Sequence, residues 1–274
     1  MLLTIIFLLS IVIAILFGFF SLLPSGFLGG LTVFAVFIGS FVGILVLALI
    51  GFVLVFVIFE KRNPKWMFKH RLLNLFTHAV YNNIFRVKVI VTGWENLPND
   101  RNFVIFSNHI EASDPMYIKQ VYKNHPVSFV SKEVLFKQFP VNSILRGIGC
   151  IPISPRADRS AANSILESIE IVKSGQPMGI FPEGRRTYSN DIIEFKPGSF
   201  RVPLKAQVDI SPVAVYNMHE IYRKGRKFLV KVKLAVLPLI HYDDFKDMDT
   251  VTLAQKVYDI VLNQMNAFKN EEKG

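Results

Sequence analysis

The residues best suited to chemistry in this sequence are a histidine and an aspartate in the segment NHIEASDP, residues 108 to 115. His109 and Asp114 are five positions apart, across a predicted turn. A neutral imidazole has an ordinary pKa of about 6.5, so it can take a proton from a hydroxyl group near neutral pH. A carboxylate on the other ring nitrogen would fix the tautomer and stabilise the imidazolium. The spacing therefore allows a general-base pair that activates an alcohol.

Both residues also have ordinary structural roles open to them. Asp114 precedes Pro115, which is typical of a helix start with Asp114 as the N-cap and proline at the first helical position. His109 could be a hydrogen-bonded turn histidine. Of the six histidines, only His109 has an acid five positions later. Spacing alone leaves both interpretations open.

A second motif is MGIFPEGRRTYS, residues 178 to 189, in which a predicted buried strand runs into a polar loop. Gly184 would let the backbone approach a ligand closely. Arg185 and Arg186 offer planar sets of donors suited to phosphate oxygens. The alternative is a surface loop in which Glu183 pairs with an arginine.

Taken in order, these motifs resemble the glycerolipid acyltransferase family, typified by bacterial 1-acylglycerol-3-phosphate (lysophosphatidic acid) acyltransferases. The resemblance covers residues 86 to 237. Its blocks are NHIEASD, then SKEVLFKQFP at 131 to 140 with GIGCIPIS at 147 to 154, then FPEGRRT, and finally FKPGSF with DISPVAV at 209 to 215. The first and third blocks, in this order and separation, are specific to the family.

The resemblance implies roles for individual residues. It makes His109 the general base and Asp114 the residue that orients it. It places Glu183, Gly184 and Arg186 in the acceptor site. It also puts Lys132 near the acceptor phosphate.

The sequence departs from the family pattern at two places. Arg185 stands where the family usually has a small hydroxyl residue, which implies tighter phosphate binding or a different headgroup. In the second block, Arg156 lies seven residues after Gly149 rather than six, behind an extra Pro155, so its role is carried over only weakly.

The implied reaction moves a fatty acyl group from a thioester donor, acyl-CoA or acyl-carrier protein, to the free hydroxyl of 1-acylglycerol 3-phosphate. The product would be phosphatidic acid for phospholipid synthesis. Direct transfer needs no enzyme nucleophile and no cofactor, and the sequence has no G-x-S-x-G elbow. It also shows no convincing metal cluster, because His241 near Asp243 and Asp244 is a weak signal.

The elements that must position these residues alternate between strand-like and helical patterns, which predicts an α/β domain. The resemblance implies a mixed sheet flanked by helices. Predicted strands are 86–92, 103–107, 127–130, 178–181, 213–216 and 228–237, and predicted helices are 160–173 and 253–268.

An apolar front end precedes this domain, because residues 1 to 59 contain no Asp, Glu, Lys or Arg. Apolar runs at 2–23 and 27–59 flank a break at Pro24, Ser25 and Gly26. Each exceeds the roughly 20 residues that cross a bilayer, and the second would tilt, bend near Gly29 and Gly30, or enter only partly. We therefore predict a two-helix membrane anchor over 1–63 and an acyltransferase domain over 64–274. A signal peptide is the alternative for the first run, although no basic residue precedes it.

A basic cluster follows the anchor, and the positive-inside tendency then predicts a domain on the cytoplasmic face of the cell membrane. The cluster consists of Lys61, Arg62, Lys65, Lys69 and Arg71, against the acid Glu60. Apolar residues at helical spacing over 64–84 predict a helix that lies on anionic lipid or, equally, packs on the core.

The rest of the composition narrows the functional classes. The net charge of +10 and pI near 9.6 belong entirely to the part after residue 59. No nucleic-acid-binding signature accompanies this charge, so we expect no nucleic-acid partner. The single cysteine, Cys150, lies in an apolar run and is expected in the core. The alternatives to the lysolipid reaction are acylation of glycerol 3-phosphate or another lysophospholipid, and a non-catalytic lipid-binding scaffold.

Overall fold

The structure is a computed structural model that describes residues 2–20, 26–99, 102–154 and 159–272. The chain separates into two compact units, Met1–Phe59 and Glu60–Gly274. This division falls before the basic cluster, whereas the predicted anchor extended to Asn63. The predicted break at Pro24 and Ser25, and Arg156 of the second block, lie outside the described residues.

The first unit is a pair of apolar helices, α1 (Leu2–Phe20) and α2 (Phe27–Ile58), with mean hydropathies of 3.0 and 3.3. They touch each other, for example through the rings of Phe7 and Phe37, whose centroids are 5.5 Å apart. Most of their other large apolar side chains are exposed, which is unfavourable in water. Both helices are long enough to cross a membrane, as the sequence predicts. At about 1.5 Å per residue, α2 is about 48 Å long, so it exceeds a hydrocarbon core of roughly 30 Å.

The second unit is built on a seven-stranded mixed sheet in the order β1-β7-β6-β2-β5-β3-β4, so the predicted α/β class is confirmed. Neighbouring strands are parallel except β6 and β7. The strands are β1 (Val87–Thr92), β2 (Phe103–Ser107), β3 (Ser128–Lys132), β4 (Ile151–Ile153), β5 (Met178–Ile180), β6 (Asp209–Tyr216) and β7 (Val230–Val236).

Helices flank this sheet on the described part of the chain. They are α3 (Met67–His78), continued by a π-helical turn (Ala79–Ile84), α4 (Asp114–Val121), α5 (Val141–Gly147), α6 (Arg159–Lys173), α7 (Arg201–Ala206) and α8 (Thr250–Glu271). Short 3-10 turns occupy Trp94–Asn96, Glu133–Lys137, Pro197–Phe200, Met218–Ile221 and Tyr242–Asp244.

Two strands differ from their predictions for physical reasons that involve proline. Strand β4 was not predicted, because it has three residues with Pro152 at its centre, a pattern confined to edge strands. Strand β6 begins at Asp209 rather than at Val213, and Ser211 and Pro212 interrupt the apolar pattern that marks it. The central strand β2 is buried along its whole length, which explains its uninterrupted apolar run.

Helix α3 lies within the predicted amphipathic segment 64–84. Its buried face carries Lys69, His70 and Leu73, whereas Phe68 is 47 % exposed. It packs against α4, where Lys119 Nζ donates to His70 Nδ1 at 2.5 Å. The helix therefore contacts the core through a polar face, and its predicted apolar stripe stays a candidate for the membrane surface.

One edge of the sheet collects the polar residues of the motifs. Strands β2, β3, β5 and β6 are parallel neighbours, so their carboxyl ends share this edge. Strand β7 is antiparallel to β6 and begins there, and β1, parallel to β7, begins there as well. We call it the carboxyl edge.

Candidate active site

His109 and Asp114 meet at the carboxyl edge, in the loop between β2 and α4. The Nδ1 atom of His109 lies 2.9 Å from Asp114 Oδ2. Asp114 is fully buried, whereas 17 % of the His109 side chain is exposed. A carboxylate only accepts, so Nδ1 carries the proton and Nε2 has the free lone pair. The pair can therefore act as a general base at a partly exposed nitrogen.

The sequence left open whether Asp114 is the N-cap of helix α4. In the structure Asp114 is not the N-cap but the first residue of the helix. The N-cap position belongs to Ser113, whose side chain makes no capping bond. The carboxylate instead turns back, and its Oδ2 accepts from the backbone N–H groups of Ile110 at 2.7 Å and Glu111 at 2.8 Å. Burial raises the pKa of Asp114, while His109 and these two amides oppose that rise. The Asp114 carboxylate therefore accepts hydrogen bonds from the histidine loop and not from the first turn of α4.

Asn108 fastens this loop to the neighbouring strand β6. Its side chain is buried, with Nδ2 donating to the Val215 carbonyl and Oδ1 accepting from the Val215 N–H, both at 2.9 Å. This two-point bond fixes the backbone one residue before the histidine. The sequence interpretation missed Asn108, and its only signal was a polar residue directly after a buried strand.

An aromatic stack supports the histidine ring from the third block. The rings of His109 and Phe181 are stacked at 4.1 Å between centroids. The Phe129 ring is nearly parallel to the Phe181 ring, with 6.2 Å between their centroids. A side chain at Gly179 would collide with the Phe129 ring, so β5 requires glycine there. The sequence interpretation did not identify these three positions.

The loop after β5 is hydrogen-bonded to the histidine loop, so the first and third blocks are adjacent in space. The N–H of Thr187 donates to the His109 carbonyl at 2.9 Å, and the N–H of Tyr188 donates to the Ile110 carbonyl at 3.2 Å. The two segments that lie far apart in sequence therefore form one site.

Glu183 lies under this loop and not on its surface. It is 1 % exposed, and in the described part of the chain neither carboxylate oxygen has a hydrogen-bond partner. Burial raises the pKa of Glu183 to about 8. The alternative in which Glu183 pairs with an arginine is wrong for the described residues.

Gly184 and the two arginines form the open side of the site. Gly184 has a φ of +71°, and Lys196 Nζ lies 2.8 Å from where a Cβ would stand. Arg185 is exposed, and Arg186 holds its guanidinium 5.0 Å from the Tyr188 ring centroid. The pocket here has a volume of about 490 Å³, lined by Arg185, Arg186, Thr187, Tyr188, Ser189, Asp191 and Ile193.

Lys132 is on the same edge, at the end of the strand that pairs with β5. It ends β3, which is separated from β2 by β5. Its side chain is exposed, and among the described residues no hydrogen bond or ion pair joins it to His109 or the arginines. Its phosphate-binding role stays a prediction.

The other candidate residues have structural surroundings. Cys150 is buried, which raises its thiol pKa to about 11. His241 Nδ1 lies 3.0 Å from Asp209 Oδ2 at the opposite edge of the sheet. Within the described ranges, no group of three or more His, Cys, Asp or Glu could hold a metal ion.

Comparisons with known proteins show which family this chain belongs to. A family model described as Acyltransferase matches residues 88–216. A 1-acyl-sn-glycerol-3-phosphate acyltransferase of Borreliella burgdorferi is 32 % identical over 185 residues, which are 67 % of this chain and 74 % of that protein. The 1-acyl-sn-glycerol-3-phosphate acyltransferase alpha of Ovis aries is 24 % identical over 199 residues, covering 70 % of this chain and 67 % of that one.

The fold is also similar to a solved structure. The crystal structure of the 1-acyl-sn-glycerophosphate (LPA) acyltransferase PlsC from Thermotoga maritima matches with a TM-score of 0.61 and 23 % identity, covering 80 % of this chain and 95 % of that one. With the matched domain, the Borreliella relative and the two motifs in one site, the chain belongs to the acyltransferase family that includes the 1-acyl-sn-glycerol-3-phosphate acyltransferases.

Proposed function

We propose that this acyltransferase moves a fatty acyl group from a thioester donor, acyl-CoA or acyl-carrier protein, to the free hydroxyl of 1-acylglycerol 3-phosphate. The product is phosphatidic acid. The observation that carries the proposal is the 2.9 Å contact of His109 Nδ1 with Asp114, which leaves Nε2 as a proton acceptor. The names of the Borreliella and Ovis relatives, both 1-acyl-sn-glycerol-3-phosphate acyltransferases, support the choice of acceptor.

The reaction then needs one base and no enzyme nucleophile. As the acceptor oxygen attacks the thioester carbonyl, His109 Nε2 takes its proton. The buried Asp114 carboxylate stabilises the resulting imidazolium. When the tetrahedral intermediate collapses, the new C–O bond remains, the C–S bond breaks, and the imidazolium returns the proton to the leaving thiolate. The acyl-CoA or acyl-carrier protein is a co-substrate, and no cofactor takes part.

The arginine loop supplies the charge that a phosphate-bearing acceptor requires. Arg185 and Arg186 line the pocket beside Thr187, whose backbone is bonded to the histidine loop. A phosphate held by this loop places the glycerol hydroxyl near the histidine. Lys132 adds a cation on the same edge. Such positioning lowers the entropic cost of bringing the hydroxyl to the base.

The acceptor is a membrane lipid, and the apolar helix pair fits an enzyme that works at a bilayer. We place the catalytic domain on the cytoplasmic face because of the basic cluster after α2. Anionic lipids would be attracted by the same cations, at about 1 kcal/mol per nearby Lys or Arg.

A donor and acceptor panel on the purified full-length chain tests the proposed reaction. Acyl-CoA and acyl-carrier protein are each offered with 1-acylglycerol 3-phosphate, glycerol 3-phosphate and lysophosphatidylcholine, and the lipid products are counted. We expect phosphatidic acid to form fastest from 1-acylglycerol 3-phosphate. Preference for glycerol 3-phosphate or lysophosphatidylcholine would refute the acceptor, and His109→Ala serves as the inactive control.

A further inference from the structure

A second apolar and basic surface lies on the carboxyl edge, outside the arginine loop. Between β6 and β7 the chain reads RKGRKFL, residues 223 to 229. Phe228 is 78 % exposed and Leu229 is 47 % exposed. Ile84, at the end of the π-helical turn before β1, is 62 % exposed. These residues and their flanking cations, Arg86, Lys224 and Lys227, are called the β7 entry patch.

The patch has a defined arrangement. The Arg86 guanidinium lies 3.7 Å from the Phe228 ring centroid, which joins the β1 side to the β7 side. Phe85 and Tyr222 pack edge to face at 5.6 Å. The N–H of Val230 donates to the Arg86 carbonyl at 3.2 Å. The two segments therefore present one surface.

Charge selects what this surface can contact. Arg223 is paired with Glu220 at 2.9 Å. Arg86, Lys224 and Lys227 have no acidic partner in the part of the chain that the structure describes. Exposed aromatic and aliphatic side chains with cations beside them complement a bilayer surface, where anionic headgroups attract the cations and the hydrocarbon below accepts the apolar groups. A folded protein partner would instead need a rim of acidic side chains to match these cations.

The position of the patch also matches a membrane. Strands β7 and β6 lie between β1 and β2. Ser107 at the end of β2 is level with Val213 of β6, which in turn is level with Val236 of β7. Val230 at the start of β7 therefore extends about 20 Å beyond the end of β2, at roughly 3.4 Å per residue. His109 lies two residues after the end of β2. The patch therefore lies beyond the end of β2 on the same edge as the base that a bilayer-borne acceptor must reach.

We infer that the β7 entry patch docks on the anionic bilayer surface, with Phe228 and Leu229 entering the headgroup region, and so presents the active site to acceptors in the membrane. The inference rests on the proposed function in that the acceptor is a lipid. It assigns a surface beyond the N-terminal helices and the basic cluster that follows them.

Fluorescence at Phe228 tests the docking without requiring activity. Phe228→Cys in the full-length chain is labelled with a polarity-sensitive dye and reconstituted into vesicles of equal parts phosphatidylcholine and phosphatidylglycerol. We expect a blue-shifted emission that spin-labelled lipids quench. Val251→Cys is the matched control, since Val251 is 64 % exposed. Val251 lies at the start of α8, after Ile240, which forms a β-bridge with Ile210 near the start of β6 and thus at the opposite edge of the sheet. The wild-type chain, with its one cysteine buried, controls for labelling.

If the Phe228 label emits and quenches like the Val251 label, the inference is wrong. Turnover provides a second measurement with the Phe228→Ser, Leu229→Ser double variant. We expect a several-fold loss with an acceptor embedded in these vesicles and no loss with a water-soluble short-chain acceptor. Equal loss with both acceptors would also overturn the docking role. If no lysolipid is acylated at all, the proposed function fails, and the fluorescence still decides the docking.

Discussion

The two sides of the active site are built differently. Asp114 is fully buried, and one of its oxygens accepts from His109 and two backbone amides. In the loop after β5, Arg185 is exposed and the Arg186 guanidinium lies 5.0 Å from the centroid of the neighbouring Tyr188 ring. The histidine side, where we propose that proton transfer occurs, is therefore fixed before substrate binds, whereas the arginine side, where we propose that the acceptor binds, can adjust.

This difference separates chemistry from recognition. A general base works only within hydrogen-bond reach of its proton, so small displacements are costly. A phosphate offers several oxygens to a flexible cation, so its binding tolerates movement. Changes on the histidine side should lower kcat, and changes on the arginine side should raise the acceptor KM.

Four substitutions test this difference, and Asp114→Asn is expected to have the largest effect. The amide keeps the shape but cannot hold His109 in the tautomer with Nε2 free, so we expect kcat to fall on the order of 10³-fold to 10⁴-fold. The measurement is steady-state turnover, with circular dichroism as the control for folding. A fall of less than tenfold would show that the carboxylate does not orient the base.

The next effect concerns the aromatic stack behind the base. Gly179→Ala places a methyl group against the Phe129 ring, which shifts Phe181 and with it the His109 ring. We expect kcat to fall about 10² -fold, as expected for a displacement of about 1 Å, with little change in acceptor KM. Gly198→Ala is the matched control, because open space surrounds Gly198. Equal kcat values for the two variants would remove the stack from catalysis.

Much of the site could be predicted from the sequence because it rests on local patterns. The apolar run of β2, the polar turn after it and the uncharged N-terminal helices each have a one-dimensional signature. Asn108 and Gly179 do not, since their importance comes from Val215 and Phe129, distant partners that only the folded sheet brings close. The alternative role of Asp114 as a helix cap was wrong for a local reason: its Oδ2 accepts from His109, Ile110 and Glu111 in the preceding loop.

On the arginine side, Arg186→Ala should act on binding. We expect the acceptor KM to rise about tenfold with kcat nearly unchanged, because a phosphate contact is lost while the base is untouched. Arg185→Ala should give a smaller rise, since its side chain is more exposed. Arg201→Ala, at another exposed arginine, is the control. A kcat loss without a KM change would place Arg186 in the chemical step.

The smallest expected effect is on thermal stability, and it comes from Glu183, the buried acid in the loop after β5. Folded Glu183 keeps its proton up to about pH 8, whereas in the unfolded chain it loses it near its ordinary value of 4.5. The folded state thus binds more protons in this window, so stability falls as pH rises from about 4.5 to about 8. We expect Glu183→Gln to flatten this dependence and to raise Tm by a few degrees at pH 8 relative to the wild type. Thermal unfolding of both proteins from pH 5 to pH 9 is the measurement, at roughly unit steps. Parallel curves would contradict a buried, protonated Glu183.

The most direct test of the fixed base is turnover by His109→Ala with a radiolabelled acyl donor. We predict that kcat falls on the order of 10⁴-fold while acceptor binding is retained, and that acid-quenched wild-type protein carries no covalent acyl label. Turnover within tenfold of the wild type, or a stable acyl-protein that forms and decays at the rate of product release, would contradict direct transfer promoted by His109.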